Sequence, residues 1–173
     1  MMDLKKEIKN LGFKLYQGNP LDDALFAQFF YSFKETKALL GIEDISLSQF
    51  LKALSAPTMC IYTFDSELKF FAWYNTCPPI FGNGLFLSLW LREDFRGSRE
   101  GIAHTVLAHE IGFKSCDFIL GSTSLENIIA LGLKLGYKEF KPRFPNGVCV
   151  RYLKREDFHE SAYYKTYQKL RGV

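Results

Sequence analysis

Between Arg92 and Ala103 the chain reads Arg-Glu-Asp-Phe-Arg-Gly-Ser-Arg-Glu-Gly-Ile-Ala. The run before it, Leu85 to Leu91, is rich in Leu and aromatics, the pattern of a strand with a buried face. After it, Ile102 to Phe113 is amphipathic and reads as a helix. A strand, a basic loop carrying glycines and a helix N-terminus together can hold phosphate. Unsatisfied backbone N–H groups and the positive end of the helix dipole point at one place. Gly97 and Gly101 would let the backbone come close, and Arg92, Arg96 and Arg99 add positive charge. The same chemistry occurs in connections that bind nothing. No Gly-Lys-Ser/Thr ends the loop and no three glycines stand in G-x-G-x-x-G register, so neither a P-loop nor a dinucleotide fingerprint is present.

Other reactive residues group less well. His104 and His109 lie five apart on the helix, about 140° around it, where a zinc helix wants four. Both read as surface histidines. The cysteines Cys60, Cys77, Cys116 and Cys149 form no C-x-x-C pair, so structural zinc is not indicated and no metal is expected. They read as reduced, mostly buried thiols of a cytoplasmic protein. None has an evident base partner that would make it a nucleophile.

The elements that must position the loop can be read along the chain. A length of 173 residues suits one domain, and 47% hydrophobic and 16% aromatic content with 17 Phe implies a packed aromatic interior. Net charge is only +3, which does not suit a nucleic-acid binder. No apolar run has membrane-spanning length, and the charged first ten residues do not read as a secretory signal. Gly12 to Gln17 reads as a first strand. Leu21 to Phe33 reads as a helix started by Pro20 with Asp22 and Asp23 in its first turn, and Glu35 to Ile42 continues or restarts it. Another helix starts at Ser46 and stops before Pro57. Thr58–Phe64 and Leu68–Tyr74 form an antiparallel hairpin. Beyond the loop helix, Cys116–Leu120 is a short strand. Thr123 to Glu126 has the form of a capping box for a helix through Leu135, with Leu125, Ile128, Ile129 and Leu133 facing inward. Gly136 is its C′ residue. Tyr137–Lys141 and Val148–Leu153 close as a hairpin. Glu156–Arg171 ends the chain as a helix whose Tyr163, Tyr164 and Tyr167 would pack on the sheet or on a partner.

This order, with the glycine-basic loop after the fourth strand, resembles the GNAT superfamily of N-acetyltransferases. Phe95-Arg96-Gly97 is similar to the family's aromatic-Arg-Gly, and Gly101-Ile102-Ala103 to the closing Gly-x-Gly/Ala of its Gln/Arg-x-x-Gly-x-Gly/Ala loop. In that register the Gln/Arg position is Ser98, and Arg96 fits only with inserted residues. Asn127-Ile-Ile-Ala-Leu-Gly-Leu-Lys-Leu-Gly-Tyr137 resembles the family's Asn-x-x-Ala…Leu-Gly-Phe segment. The resemblance implies an α+β (α/β/α) fold: a mixed, mostly antiparallel sheet of six to seven strands with helices on both faces. It also implies a single domain, with residues 1–84 on the acceptor side, 85–153 binding acyl-CoA and 154–173 a C-terminal helix. Acetyl-CoA would be the co-substrate. Gly97, Ser98, Arg99, Gly101, Ile102 and Ala103 would hold its pyrophosphate with Arg96. Leu89 and Leu91 would pair with the pantetheine amides, and Asn127 would complete the site.

Two departures bear on the chemistry. Gly132 stands where the family often places a Tyr that protonates the leaving thiolate. Leu85–Leu91 carries no carboxylate to serve as base; Asp117, Glu93 and Asp94 are the nearest acids in sequence. The implied activity is acetyl transfer to a small-molecule or protein amine. The alternative is a catalytically degenerate GNAT-fold structural or interaction protein, of the compact kind found in bacteriophages and some virions, which this chain also resembles. Its contacts, or an oligomer, would then form through the C-terminal helix. No nucleic-acid or membrane partner is implied.

Overall fold

The computed structural model describes residues 2–33, 37, 40–55, 57–123, 126–140 and 149–172. Its helices are α1 (Met2–Asn10), α2 (Pro20–Ser32), α3 (Leu47–Ala53), α4 (Arg99–Gly112), α5 (Glu126–Leu135), α6 (Arg155–Glu160) and α7 (Ala162–Arg171). The strands are β1 (Lys14–Leu15), β2 (Met59–Phe64), β3 (Leu68–Thr76), β4 (Gly84–Leu91), β5 (Phe118–Thr123), β6 (Lys138–Glu139) and β7 (Cys149–Lys154). They hydrogen-bond in the order β1-β2-β3-β4-β5-β7-β6. The mixed α+β class expected from the sequence is the observed one. The parallel ladder aligns Gly84–Phe86 of β4 with Phe118–Leu120 of β5.

Two compact units make up the chain. The first comprises residues 1–75 and 88–96 and carries an aromatic core. Helix α2 starts where Asn19 Oδ1 accepts the amides of Leu21 and Asp22, both at 3.0 Å, with Pro20 at its first position. Its spacing of Leu25, Phe26, Phe29 and Phe30 puts one apolar face on the sheet, as the sequence implies. Phe26 meets Tyr16, Tyr62 and Phe71 with ring centroids 5.2 to 5.6 Å apart. Helix α3 opens with a full capping box between Ser46 and Gln49. The hairpin of β2 and β3 is antiparallel, as expected. Helix α1 was not anticipated: Met2–Asn10 is helical with Ile8 turned inward, 1% exposed. Of the proposed continuation over 35–42, residues 35, 36, 38 and 39 lie outside the described residues.

The second unit comprises residues 76–87 and 97–173. Helix α5 ends in a Schellman motif: the Tyr137 amide donates to Gly132 O at 2.9 Å and the Gly136 amide to Leu133 O at 3.1 Å. Gly136 sits at φ +93°, and a Cβ there would lie 2.7 Å from Asp157 O, so only glycine fits this stop. Three expectations need correction. Strand β5 runs through Gly121 to Thr123, because its antiparallel pairing with β7 continues to Cys149. Of the α5 residues expected inside, Ile128 is 41% and Leu133 59% exposed; Leu135 is the buried one. The C-terminal helix is two helices, because Ser161 leaves helical geometry (φ −67°, ψ 152°) to cap α7 through Tyr164 N. Of the capping box expected at 123–126, Thr123 is the last residue of β5, and Ser124, Leu125 and the Glu126 side chain lie outside what is described.

Candidate functional site

Helix α4 starts with a left-handed residue before its cap. Gly97 has φ +70°, a conformation that costs other residues free energy. Ser98 is the N-cap, its Oγ accepting the Gly101 amide at 2.9 Å and its carbonyl the Ile102 amide at 2.9 Å. The sequence reading began the helix at Ile102; Ser98 moves the start back to Arg99, so the expected binding residues Arg99, Gly101, Ile102 and Ala103 all lie in the first turns. Gly101 is buried, and Ile102 and Ala103 are partly buried.

The three arginines have different partners. Arg92 is enclosed by acids: its guanidinium meets Asp65 Oδ2 at 2.9 Å, Asp94 Oδ1 at 2.7 Å and Glu67 Oε1 at 3.4 Å. In return it holds the carboxyls of Asp65 and Asp94 below the usual range. Arg92 is therefore a brace between the β2–β3 turn and the end of β4. Arg99 donates from the start of α4 to Leu170 O in the last turn of α7. Arg96 is exposed and donates through Nε to Leu91 O at 3.0 Å, which leaves its terminal nitrogens at the surface. Leu89 and Leu91 are half-buried in the last part of β4. Asn127 is exposed at the start of α5, with its Oδ1 accepting the Ile128 amide at 3.0 Å.

Sequence reasoning missed a buried polar pair. His109 is fully buried, not a surface residue. Its Nδ1 faces Thr105 O at 2.8 Å, and only a protonated Nδ1 can donate to a carbonyl. Nε2 is then the acceptor for the Tyr137 hydroxyl at 3.1 Å. Burial pushes the His109 pKa down to about 4 and the Tyr137 phenol up. Phe158 stacks on the imidazole at 5.0 Å. The signal in the sequence was a second stripe on α4, Gly101-Thr105-Ala108-Gly112, whose small side chains let the helix bury the face beside its aliphatic one.

Tyr137 is thus committed to the core and cannot act as an acid toward a ligand. Gly132 leaves the expected acid position bare. A Cβ there would meet Tyr137 Cβ at an ordinary 3.7 Å. Gly132→Ala should therefore raise stability by about 0.5–1 kcal/mol, the helix-interior gain over glycine, read from denaturant midpoints. A decrease would mean that the helix is not formed at this residue.

No protein-family model matches the chain, and no curated protein matches it in sequence. Solved structures do match. An uncharacterized protein from Bacillus halodurans superposes with TM-score 0.67 at 9% identity, over 91% of this chain and 90% of that one. Aminoglycoside 6'-acetyltransferase type Ii gives TM-score 0.60 at 18% identity, over 82% and 96%. Spermidine N-acetyltransferase from Vibrio cholerae, in complex with CoA and spermine, gives 0.61 at 13%, over 84% and 97%. At these identities the likeness is one of fold.

Proposed function

We propose, from the premise that this chain has the GNAT N-acetyltransferase fold, that it transfers an acetyl group from acetyl-CoA to an amine. The observation that carries the reading is the start of α4. Left-handed Gly97 leads into the capped first turn of a 14-residue helix, whose positive end suits a pyrophosphate. Backbone amides from Gly97 to Glu100 would hold that group, with the exposed guanidinium of Arg96 as counter-charge, while Ser98 takes the Gly101 amide through its Oγ and the Ile102 amide through its carbonyl. Main-chain groups at Leu89 and Leu91 would align the pantetheine arm, and Asn127 would contact the donor from α5. Arg99 serves α7 instead.

In the reaction the amine nitrogen attacks the thioester carbon, a C–N bond forms, the C–S bond breaks and CoA leaves as thiolate. The attacking nitrogen loses its proton to water because β4 carries no carboxylate, and the thiolate leaves unprotonated, to take its proton from water, because position 132 is Gly and offers no phenol. Catalysis then rests on positioning and on polarising the carbonyl. A general acid or base contributes roughly 10²–10⁴ in rate, so turnover is slow and rises with pH until the acceptor amine is deprotonated.

Calorimetric titration with acetyl-CoA tests this. Micromolar binding is expected, weakened roughly tenfold, about 1.4 kcal/mol, by Arg96→Ala and by Gly101→Val. Free-thiol release with small polyamines then reads turnover. No heat at millimolar donor would replace this reading with that of a GNAT-fold interaction protein. The inward-turned Tyr137 hydroxyl and the bare Gly132 are the observations that favour the second reading.

A further inference from the structure

A cavity of about 490 Å³ lies in the first unit beside α1, β1 and the start of α2. Lys5 and Lys9, four apart on α1, line it with Lys14 of β1. Among the described residues neither Lys5 nor Lys9 has an acid within ion-pair distance. The Lys14 ammonium lies 4.7 Å from the Phe64 ring centroid. Leu21, 47% exposed, supplies apolar wall together with the lysine stems; Ile8 and Phe13 also line the cavity but are 1% and 3% exposed.

The acid in the floor is already committed. Asp22 is 1% exposed, its Oδ1 accepting the Tyr62 hydroxyl at 2.5 Å and its Oδ2 the Gln17 amide at 2.6 Å. Nor does the α2 N-terminus offer donors at its first turn, since Asn19 caps the Leu21 and Asp22 amides. Three ammonium groups less one carboxylate leave two positive charges at the cavity. A lysine in water needs no partner. A concave, apolar-walled space under the lysines is what separates this place from an ordinary basic surface.

We propose that this cavity binds an organic anion, a phosphate or carboxylate head on a small apolar body. The lysine ammonium groups hold the head, and Leu21 with the lysine stems covers the body. Titrating the full chain with phenyl phosphate, and separately with inorganic phosphate, tests it. Phenyl phosphate should bind roughly tenfold more tightly than inorganic phosphate, and more weakly as salt screens the lysines. The double variant Lys5→Gln/Lys9→Gln should weaken phenyl phosphate by roughly tenfold or more. Lys6→Gln, which alters an exposed lysine outside the lining, should leave binding unchanged. Retention in Gly101→Val separates this site from the start of α4. The proposal is overturned if phenyl phosphate does not bind, if the double variant binds it like the parent, or if inorganic phosphate binds equally well.

Discussion

Phe29→Ala is expected to lower stability by about 4 kcal/mol, with an unchanged denaturant slope and a lower midpoint. Phe29 is 1% exposed, and its ring meets four others in the first unit. Phe71 and Trp90 lie 5.0 Å away, Phe33 5.6 Å and Phe50 6.2 Å. Removing it opens a cavity that stiff aromatic neighbours cannot collapse to fill. Trp90 makes the consequence functional. Its indole nitrogen is buried and finds no hydrogen-bond partner among the described residues, so packing orients the ring. Trp90 stands in β4 between Leu89 and Leu91, whose main-chain groups are proposed to align the acetyl donor. Phe29→Ala should therefore alter tryptophan fluorescence and weaken acetyl-CoA binding together. Phe29→Leu should recover most of the stability, because it leaves a smaller void. A loss below about 1 kcal/mol for the alanine variant would show that the ring cluster is not the core of this unit.

Much of this architecture was legible because the relevant signals are local. Pro20 at the start of α2, Ser46 at the start of α3 and Gly136 after α5 each announce an end locally, and each is used as read; the Asn19 cap ahead of Pro20 was not read. The face of α2 follows from period alone. What failed was tertiary. Helix α5 shows a convincing apolar pattern, yet Ile128 and Leu133 face solvent, since which stripe is covered depends on neighbours distant in sequence. Ser161 looked like one more helical residue, but its hydroxyl competes with the helix as a cap.

The candidate site was legible to the extent that it is backbone. Glycine before a serine cap and a helix is a conformational statement that sequence can make, and Gly97 and Ser98 adopt it. The arginines were not, because a guanidinium reaches far and takes the best acceptor it meets. Three residues that look alike in the chain serve an acid cluster, a strand carbonyl and a helix end. His109 was hidden by its type: a residue usually half-exposed becomes core when both ring nitrogens find partners.

That burial makes the second unit acid-sensitive. The unfolded chain protonates His109 near its ordinary pKa of 6.5, while the folded state resists to about 4. The group's folded pKa is depressed, so as pH falls the proton goes first to the unfolded chain. Stability is whole above about 6.5, declines by about 1.4 kcal/mol per pH unit through the window, and stops declining below about 4. The total is about 3 kcal/mol. Protonation would also place an N–H against the Tyr137 hydroxyl, which now donates to Nε2, so that hydroxyl would have to turn and accept. Denaturation at stepped pH, compared between the parent and His109→Gln, isolates this residue from the half-exposed His159–Glu110 pair, which both proteins share. The variant should be less stable at neutral pH, and the difference between the two should shrink as pH falls from about 6.5 to about 4. A constant difference across that range would mean that His109 is not held neutral in the core, and the coupling of α4 to Tyr137 would have to be abandoned.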